Sequence, residues 1–443
     1  MKRTIVVFMT VLLVGFYIRA WANEGEILAE LEKLKQRIEE LEAKLEQQDQ
    51  KLEQQDQKLE DAEYEQAKAE VKDIKDIIAE RLATLSIHGG VVGYYQGMTT
   101  ADIGGEHFKN PNGVGYVADL ELAFEPIEDG EFYMRLHAGE GDGADLDLEP
   151  DGGVFTDVNT LNDDNPVGEF LDLLDVFYTQ SFMDERLFLA VGKTEPVVFI
   201  DDNAFANDEY VQFVGKPFVN DPVLDSEDEF TPLLALGFSP AEVVSLVALV
   251  QSSSWVDDKD PYSDIFNKPF VAGQVTVSPM IRGLMGNYRL YGWGATYDHE
   301  KLSNPNSTEA GWGVGVSLDQ MVTPKIGLFA RAGYHNEDVY EVPWSWSVGA
   351  DFRGLIPRRE NDNFGIGVAA LKGNSDLNDT LVDTGLLLTG NNGGWEWHLE
   401  TYYRIVLSEF LSITPDLQYV ISPLGDPDND GFFAGMIRAE FYF

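Results

Sequence analysis

The chain is 443 residues long and contains no cysteine, so it can bury a large apolar surface but has no disulfide framework. Its 31 Lys and Arg stand against 77 Asp and Glu, a formal net charge of -46 that repels duplex DNA and excludes nucleic acid as a partner. Past the N-terminus no apolar run approaches the ~20 residues of a spanning helix, which excludes a helical membrane protein.

Lys2 and Arg3 precede an apolar stretch from Ile5 to Tyr17, and Ala20, Trp21 and Ala22 supply a small-x-small cleavage site. Residues 1–22 therefore read as a secretory signal peptide. Residues 23–84 read as a helical coiled coil. Leu31, Ile38, Leu45, Leu52 and Leu59 fall on the a positions of successive heptads, Leu34, Leu41, Gln48, Gln55 and Ala62 on d. Charges that face each other between parallel neighbouring chains are opposite in sign throughout: Arg37 with Glu42, Lys44 with Asp49, Lys51 with Asp56, Lys58 with Glu63. A parallel, in-register homo-oligomer follows as the expectation, while leucine at both core positions leaves dimer and trimer open. Beyond Ala62 the apolar set shifts to Ala67, Val71, Ile74, Ile78, Leu82 and Leu85, a break in phase before the next domain.

Over residues 85–443 the period changes to two. Val114, Tyr116, Ala118, Leu120, Leu122 and Phe124 alternate with Asp119 and Glu121; Phe132, Met134, Leu136 and Ala138 alternate with Glu131, Tyr133, Arg135 and His137. Late in the chain Trp395, Trp397, Leu399, Thr401, Tyr403 and Ile405 oppose Glu396, His398, Glu400, Tyr402 and Arg404, a face too charged for a protein core. Such a face must see water while its opposite meets lipid, which is the pattern of a transmembrane β-barrel. Tight links read at Ile127 to Gly130, Met183 to Arg186, Ser239 to Glu242, near Pro279, at Val322 to Pro324, near Pro357 and at Ser408. Longer polar segments, such as Gly139 to Glu169 and Thr194 to Pro232, lie between them. Short and long links in alternation predict an all-β barrel of about sixteen antiparallel strands with both ends on the periplasmic side. The last strand closes it: Phe433, Gly435, Ile437, Ala439, Phe441 and Phe443 face lipid, and Ala434, Met436, Arg438, Glu440 and Tyr442 face the lumen.

Gly192-Lys193-Thr194-Glu195-Pro196, followed by Phe199, Asp201, Asn203, Ala204, Ala206, Asn207, Asp208 and Glu209, resembles a stretch of the OprB-type carbohydrate-selective porins. Gly286 to Arg289, Gly327 to Arg331, Arg353 to Pro357, Tyr402 to Arg404 and Thr414 to Val420 are similar to that family's pattern in the same order. The resemblance runs from about Ser86 to Phe443 and implies a sixteen-stranded outer-membrane channel for sugars. Glu195 stands where the family usually has Asp, and the coiled coil resembles the N-terminal extension of sucrose porins.

On that reading, Arg135, Arg289, Arg331, Arg404 and Arg438 share the lumen phase with Asp119, Glu121, Glu396, Glu400, Asp416 and Glu440, offering donors and acceptors to sugar hydroxyls, with Arg289 and Arg331 as the chief donors. The plainer reading is that these charges pair across neighbouring strands. Tyr133, Tyr291, Trp293 and Tyr402 are the lumen aromatics expected to contact sugar rings, whereas Trp395, Trp397, Tyr403 and Phe443 take the phase of a membrane-interface girdle. The Thr194 to Pro232 segment is too long for a hairpin link and is expected to fold inward, carrying Asp201, Asn203, Asn207 and Asp208 to the constriction. Asp426, Asp428, Asp430 and Gly431 begin like a calcium loop, but Ile437 stands where the bidentate Glu is needed. The six histidines show no zinc spacing and no nucleophile motif has a base, so neither catalysis, metal nor cofactor is expected.

The expected partners are sugars as transported solutes, outer-membrane lipid, copies of the same chain in a homo-oligomer expected as a trimer, and a periplasmic or peptidoglycan contact through the coiled coil. Two other functions fit the same residues: a general or cation-preferring porin, and an envelope-tethering structural protein.

Overall fold

In the computed structural model of the protein, residues 29–48, scattered helical positions between 51 and 75, and residues 83–144, 155–162, 171–224, 230–253, 261–263, 265–375 and 393–443 are described. The signal peptide expected at 1–22 and most heptads beyond residue 48 lie outside the described residues. The chain divides into two units, Met1–Glu80 and Arg81–Phe443.

In the first unit residues 29–48 are helical. Leu31, Leu34, Leu41 and Leu45 form an exposed stripe along this helix. Glu40 accepts from Arg37 at 3.2 Å and from Lys44 at 3.3 Å, intrahelical pairs one turn apart that add a few tenths of a kcal/mol each, about 0.2–0.5.

The second unit is a closed antiparallel barrel. Its strands are β1 (Ser86–Met98), β2 (Asn112–Ile127), β3 (Gly130–Glu140), β4 (Asp172–Phe182), β5 (Leu187–Thr194), β6 (Thr231–Ala241), β7 (Val244–Gln251) and β8 (Phe270–Val277). The second half comprises β9 (Leu284–Lys301), β10 (Asn304–Thr323), β11 (Ile326–His335), β12 (Trp344–Arg353), β13 (Asn363–Lys372), β14 (Trp395–Val406), β15 (Leu411–Ile421) and β16 (Phe432–Tyr442). Each strand pairs with the next, and β1 pairs with β16 from Gly90 opposite Tyr442 to Met98 opposite Ala434, so no edge is left open. The sixteen expected strands are all present; a two-residue piece, Met280–Ile281, continues β8 beyond the Pro279 break.

The seven links expected to be tight all fall at one end of the barrel, and six are of two to six residues while the one near Pro357, 354–362, has nine. At the other end the connections run from eight residues upward except for a two-residue link, 302–303, because β9 and β10 themselves run to 18 and 20 residues. Here the length resides in paired strands instead of a loop. The alternation also holds: Phe433, Ile437, Phe441 and Phe443 are about half exposed on the outer wall, while Ala434, Met436, Arg438 and Glu440 are buried inside. Aromatic pairs mark both rims of the outer wall. Tyr334 packs 5.6 Å from Trp312 and 4.6 Å from Trp344 at the long-loop end; Phe124 and Phe132, 5.3 Å apart, and Phe352 and Phe364, 5.8 Å apart, lie at the short-turn end. Aromatic rings at these two levels suit the interfaces of an apolar band.

Candidate functional site in the barrel lumen

Charged lumen residues gather at one level. From the short-turn end, Gly130 to Arg135, Leu284 to Arg289 and Ile326 to Arg331 are the same step, as is Leu411 to Asp416, and Glu400 and Arg438 stand at similar height on strands running the other way. With ~3.3 Å per residue and strands tilted by ~40°, this ring lies roughly 13 Å above the turns.

The third loop, 195–230, folds inward and docks on this ring. Arg331, buried on β11, donates Nε to Asp201 Oδ1 at 2.9 Å, Nη1 to Phe218 O at 3.0 Å, and Nη2 to Asp201 O at 3.2 Å and Ala206 O at 3.0 Å. Asp201 also accepts from the Asp221 amide at 2.7 Å, closing the loop on itself. Further round, Asn203 donates to Ser317 Oγ at 3.1 Å, and Asp221 accepts from Tyr291 Oη and from Ser345 Oγ, both at 2.5 Å. Glu400 accepts the amides of Val214 at 2.6 Å and Gly215 at 3.0 Å; Arg438 donates to the carbonyls of Glu209 and Gln212. On the opposite wall Tyr210 donates to Asp119 at 2.5 Å. The loop groups named here are therefore each matched by a partner on the wall, as burial requires.

Apolar contacts reinforce this docking. Phe213 stacks on Phe218 at 4.9 Å and meets Tyr402 edge-on at 5.0 Å and Phe329 at 5.4 Å. Glycines in the lumen phase of β11 make room: a Cβ at Gly327 would lie 2.1 Å from Phe205 Cζ, and one at Gly333 2.1 Å from Val223 Cγ2. Inward positions of β11 thus run Gly327, Phe329, Arg331, Gly333, a socket in which each small residue receives a loop side chain.

A second segment, 155–162, lies over the third loop. Thr160 donates its amide to Val214 O at 3.0 Å, and Val158 O accepts from Gln96 at 3.0 Å and Gln418 at 2.8 Å. Glu396 ties two outer connections together by accepting the amides of Thr156 at 2.7 Å and Leu424 at 2.6 Å.

The expected site residues thus divide into two groups. Arg331, Glu400, Asp201, Asn203 and Tyr291 are buried in the contact between loop and wall, and Trp293 is buried 5.6 Å from both Phe270 and Tyr340. Arg331 is corrected from sugar donor to fastener, since its Nε and both Nη groups are used on the loop, and Tyr291, Trp293 and Tyr402 are corrected from sugar platforms to packing residues. Asp208 caps a local turn through the amides of Tyr210 at 3.0 Å and Val211 at 3.3 Å, and the Asn207 amide is oriented to donate to Val219 O and Asn220 Oδ1. Arg289 pairs with Asp319 at 2.6 Å and reaches Asp202 at 3.3 Å, whose side chain is 70% exposed.

Arg135 and Arg404 keep partial exposure, 16% and 17%. Arg135 lies between Asp175 at 2.6 Å and Glu195 at 3.7 Å, with its guanidinium 5.4 Å from the Phe230 ring. Arg404 bonds Glu440 at 2.9 Å and Ser412 at 3.1 Å. Pairing across neighbouring strands, the plainer reading, holds for Arg135 with Asp175, whereas Arg404 reaches past β15 to Glu440 on β16, and neither arginine is fully covered. Sequence reasoning placed Arg353 at the head of a family-like segment but not among the sugar contacts; its side chain is 48% exposed and takes the lumen phase of β12 with Ser345, Ser347 and Asp351. Period two at the end of β12 was the available signal. After β15, Asp430 and Asn429 hold the small hairpin of Ala101–Ile103 and Glu106–Phe108: Asp430 accepts the Asp102 amide at 3.2 Å and Asn429 the Gly104 amide at 3.1 Å.

The family model described as carbohydrate-selective porin, OprB family, matches residues 259–443. Porin B of Pseudomonas aeruginosa is 24% identical over 131 residues, 27% of this chain and 28% of that protein, so the alignment spans little more than a quarter of the relative. Among solved structures, OprB of Pseudomonas putida in its high pH structure aligns with TM-score 0.67 and 18% identity, over 83% of this chain and 96% of that one. The outer membrane channel DcaP of Acinetobacter baumannii aligns with TM-score 0.51 and 11% identity, over 81% and 97%. At these identities the likeness is one of fold.

Proposed function

We propose that this chain, a sixteen-stranded barrel with the fold of OprB and the OprB-family pattern over residues 259–443, is a passive outer-membrane channel for carbohydrates. The observation that carries the reading is the ring of paired arginines and carboxylates at the level where the third loop narrows the lumen. A neutral sugar exchanges hydrogen bonds to water for bonds to fixed donors and acceptors at little net cost, whereas an ion must compete with charges that already neutralise each other locally. Binding of this kind is weak, which permits release. Arg135 and Arg404, held by carboxylates and partly exposed, are sugar donors on this view, and Asp202 is an exposed acceptor opposite Arg289.

The exposed Asp202 carboxylate favours a second reading, a cation-preferring porin. Single-channel recording separates the two: block of the ionic current by D-glucose or sucrose is the expected outcome, and cation selectivity without block would favour the second. A chain with no conductance would leave only a tethering role.

Strands β1 and β16 begin and end at the short-turn end, which in barrels of this class faces the periplasm, so the N-terminal helical unit belongs on the periplasmic side. Its exposed leucine stripe takes copies of the same chain in a parallel homo-oligomer, a trimer if it follows the barrels, with the stalk free to contact peptidoglycan.

A further inference from the structure

The lumen arginines differ in how many of their donors are already used. Arg331 uses Nε and both Nη groups, Arg289 and Arg438 both Nη groups, and Arg404 Nε and Nη2. Arg353 differs. Its Nε donates to Asp351 Oδ1 at 3.0 Å, and neither Nη group donates to any described residue. Asp351 is itself buried and fixed by Asn363 at 3.3 Å and Tyr402 at 3.5 Å, so the carboxylate that aims the guanidinium has little freedom to move. The Phe205 ring of the third loop lies 5.8 Å from the guanidinium carbon and supports it from one side. An oriented planar fork with open N–H groups, facing water inside the channel, is a preorganised hydroxyl-binding element.

We propose that Arg353 is a specificity-determining residue at the short-turn mouth, forming a sugar contact separate from the constriction ring and used by solutes approaching from that end. It rests on the carbohydrate-channel reading. Arg353 is the last residue of β12, whereas the constriction ring lies several residues deeper, so a sugar arriving from the short-turn side meets these donors, with the Phe205 ring beside them, before it meets the constriction ring. Polar contacts at successive levels let a solute pass between weak sites without being trapped at one, and they make binding kinetics depend on the side of approach.

The test uses the full-length channel in planar bilayers, with insertion direction fixed by a maleimide reagent on a cysteine placed at Ser303, in the 302–303 link. D-glucose and sucrose are added to one chamber at a time. Arg353→Gln should weaken block roughly tenfold and Arg353→Lys, which keeps the charge but loses the fork, roughly threefold. The loss should show mainly as slower association from the short-turn side, and Arg353→Lys should keep the sugar-free conductance of the parent channel. Block constants equal to the parent from both sides in Arg353→Gln would overturn the proposal. So would a loss of block that appears only with a changed sugar-free conductance in Arg353→Lys, since that would mark displacement of the third loop. If the parent channel is blocked by neither sugar from either side, the carbohydrate reading fails and takes this inference with it.

Discussion

Arg331 and Asp201 form a buried pair whose value lies in position more than in net stability. Removing one member of such a pair leaves an uncompensated charge at a cost of about 3–5 kcal/mol, although forming the pair from water contributes far less. Arg331→Met should therefore detach the first part of the third loop and raise single-channel conductance, with the barrel still showing heat-modifiable mobility on gels. Arg331→Lys retains one bond to Asp201 but cannot reach Phe218 O and Ala206 O together, so a smaller rise is expected. Unchanged conductance in both variants would show that the loop is held by its apolar contacts. The lumen phase of Arg331 and Arg438 was legible because period two decides which face a residue takes. What each guanidinium touches was not, because Arg438 meets Glu209 and Gln212 across more than 200 residues of chain, and no local pattern encodes a contact across a lumen.

At the scale of elements, the third loop and strand β11 are shaped to each other. Inward positions of β11 place a glycine on either side of Phe329 and Arg331, and Gly333 leaves space that Val223 and Asp221 fill. Gly333→Val places a side chain where the loop already sits, with nothing to shift except the loop or the strand, and overpacking of this kind costs about 1–3 kcal/mol. The expected outcome is a wider and noisier pore at unchanged barrel stability; a channel indistinguishable from the parent would mean that the loop accommodates the change locally. The inward course of this loop could be anticipated from its length alone. Its landing place could not, since nothing in the sequence marks which of the lumen-phase glycines receive a loop side chain. Strand count was easier, because Asp129, Met183 and Arg282 adopt positive φ in short links that the sequence marks with polar and turn-forming residues.

For the whole molecule, the stalk and the barrel make opposite demands on their apolar residues. The barrel turns its leucines and valines to lipid and is complete as one chain, whereas the helix over 29–48 presents Leu31, Leu34, Leu41 and Leu45 to water unless another copy covers them. A peptide of residues 25–65 should self-associate, and cysteines added at its N-terminus should crosslink to each other more readily than an N-terminal cysteine to a C-terminal one. Equal yields would argue against parallel pairing. The helix over 29–48 was legible because the period of its leucines is a regularity that runs along many residues, whereas leucine at both core positions is compatible with more than one packing and fixes no number of chains.

The third loop is bonded to eight strands, β2, β8, β9, β10, β11, β12, β14 and β16, through Tyr210, Asp201, Asp202, Asn203, Asp221, the amides of Val214 and Gly215, and the carbonyls of Glu209 and Gln212. An applied potential of 100 mV does about 2.3 kcal/mol of work on one elementary charge carried across the whole membrane, and a loop charge shifted by a few ångströms gains only a fraction of that. Breaking a single buried pair already costs more, about 3–5 kcal/mol, and swinging the loop aside would break several attachments together. If the proposed channel function holds, the protein is electrically a resistor and not a valve: its aperture is set when it folds, and traffic through it follows the concentration difference between its two sides.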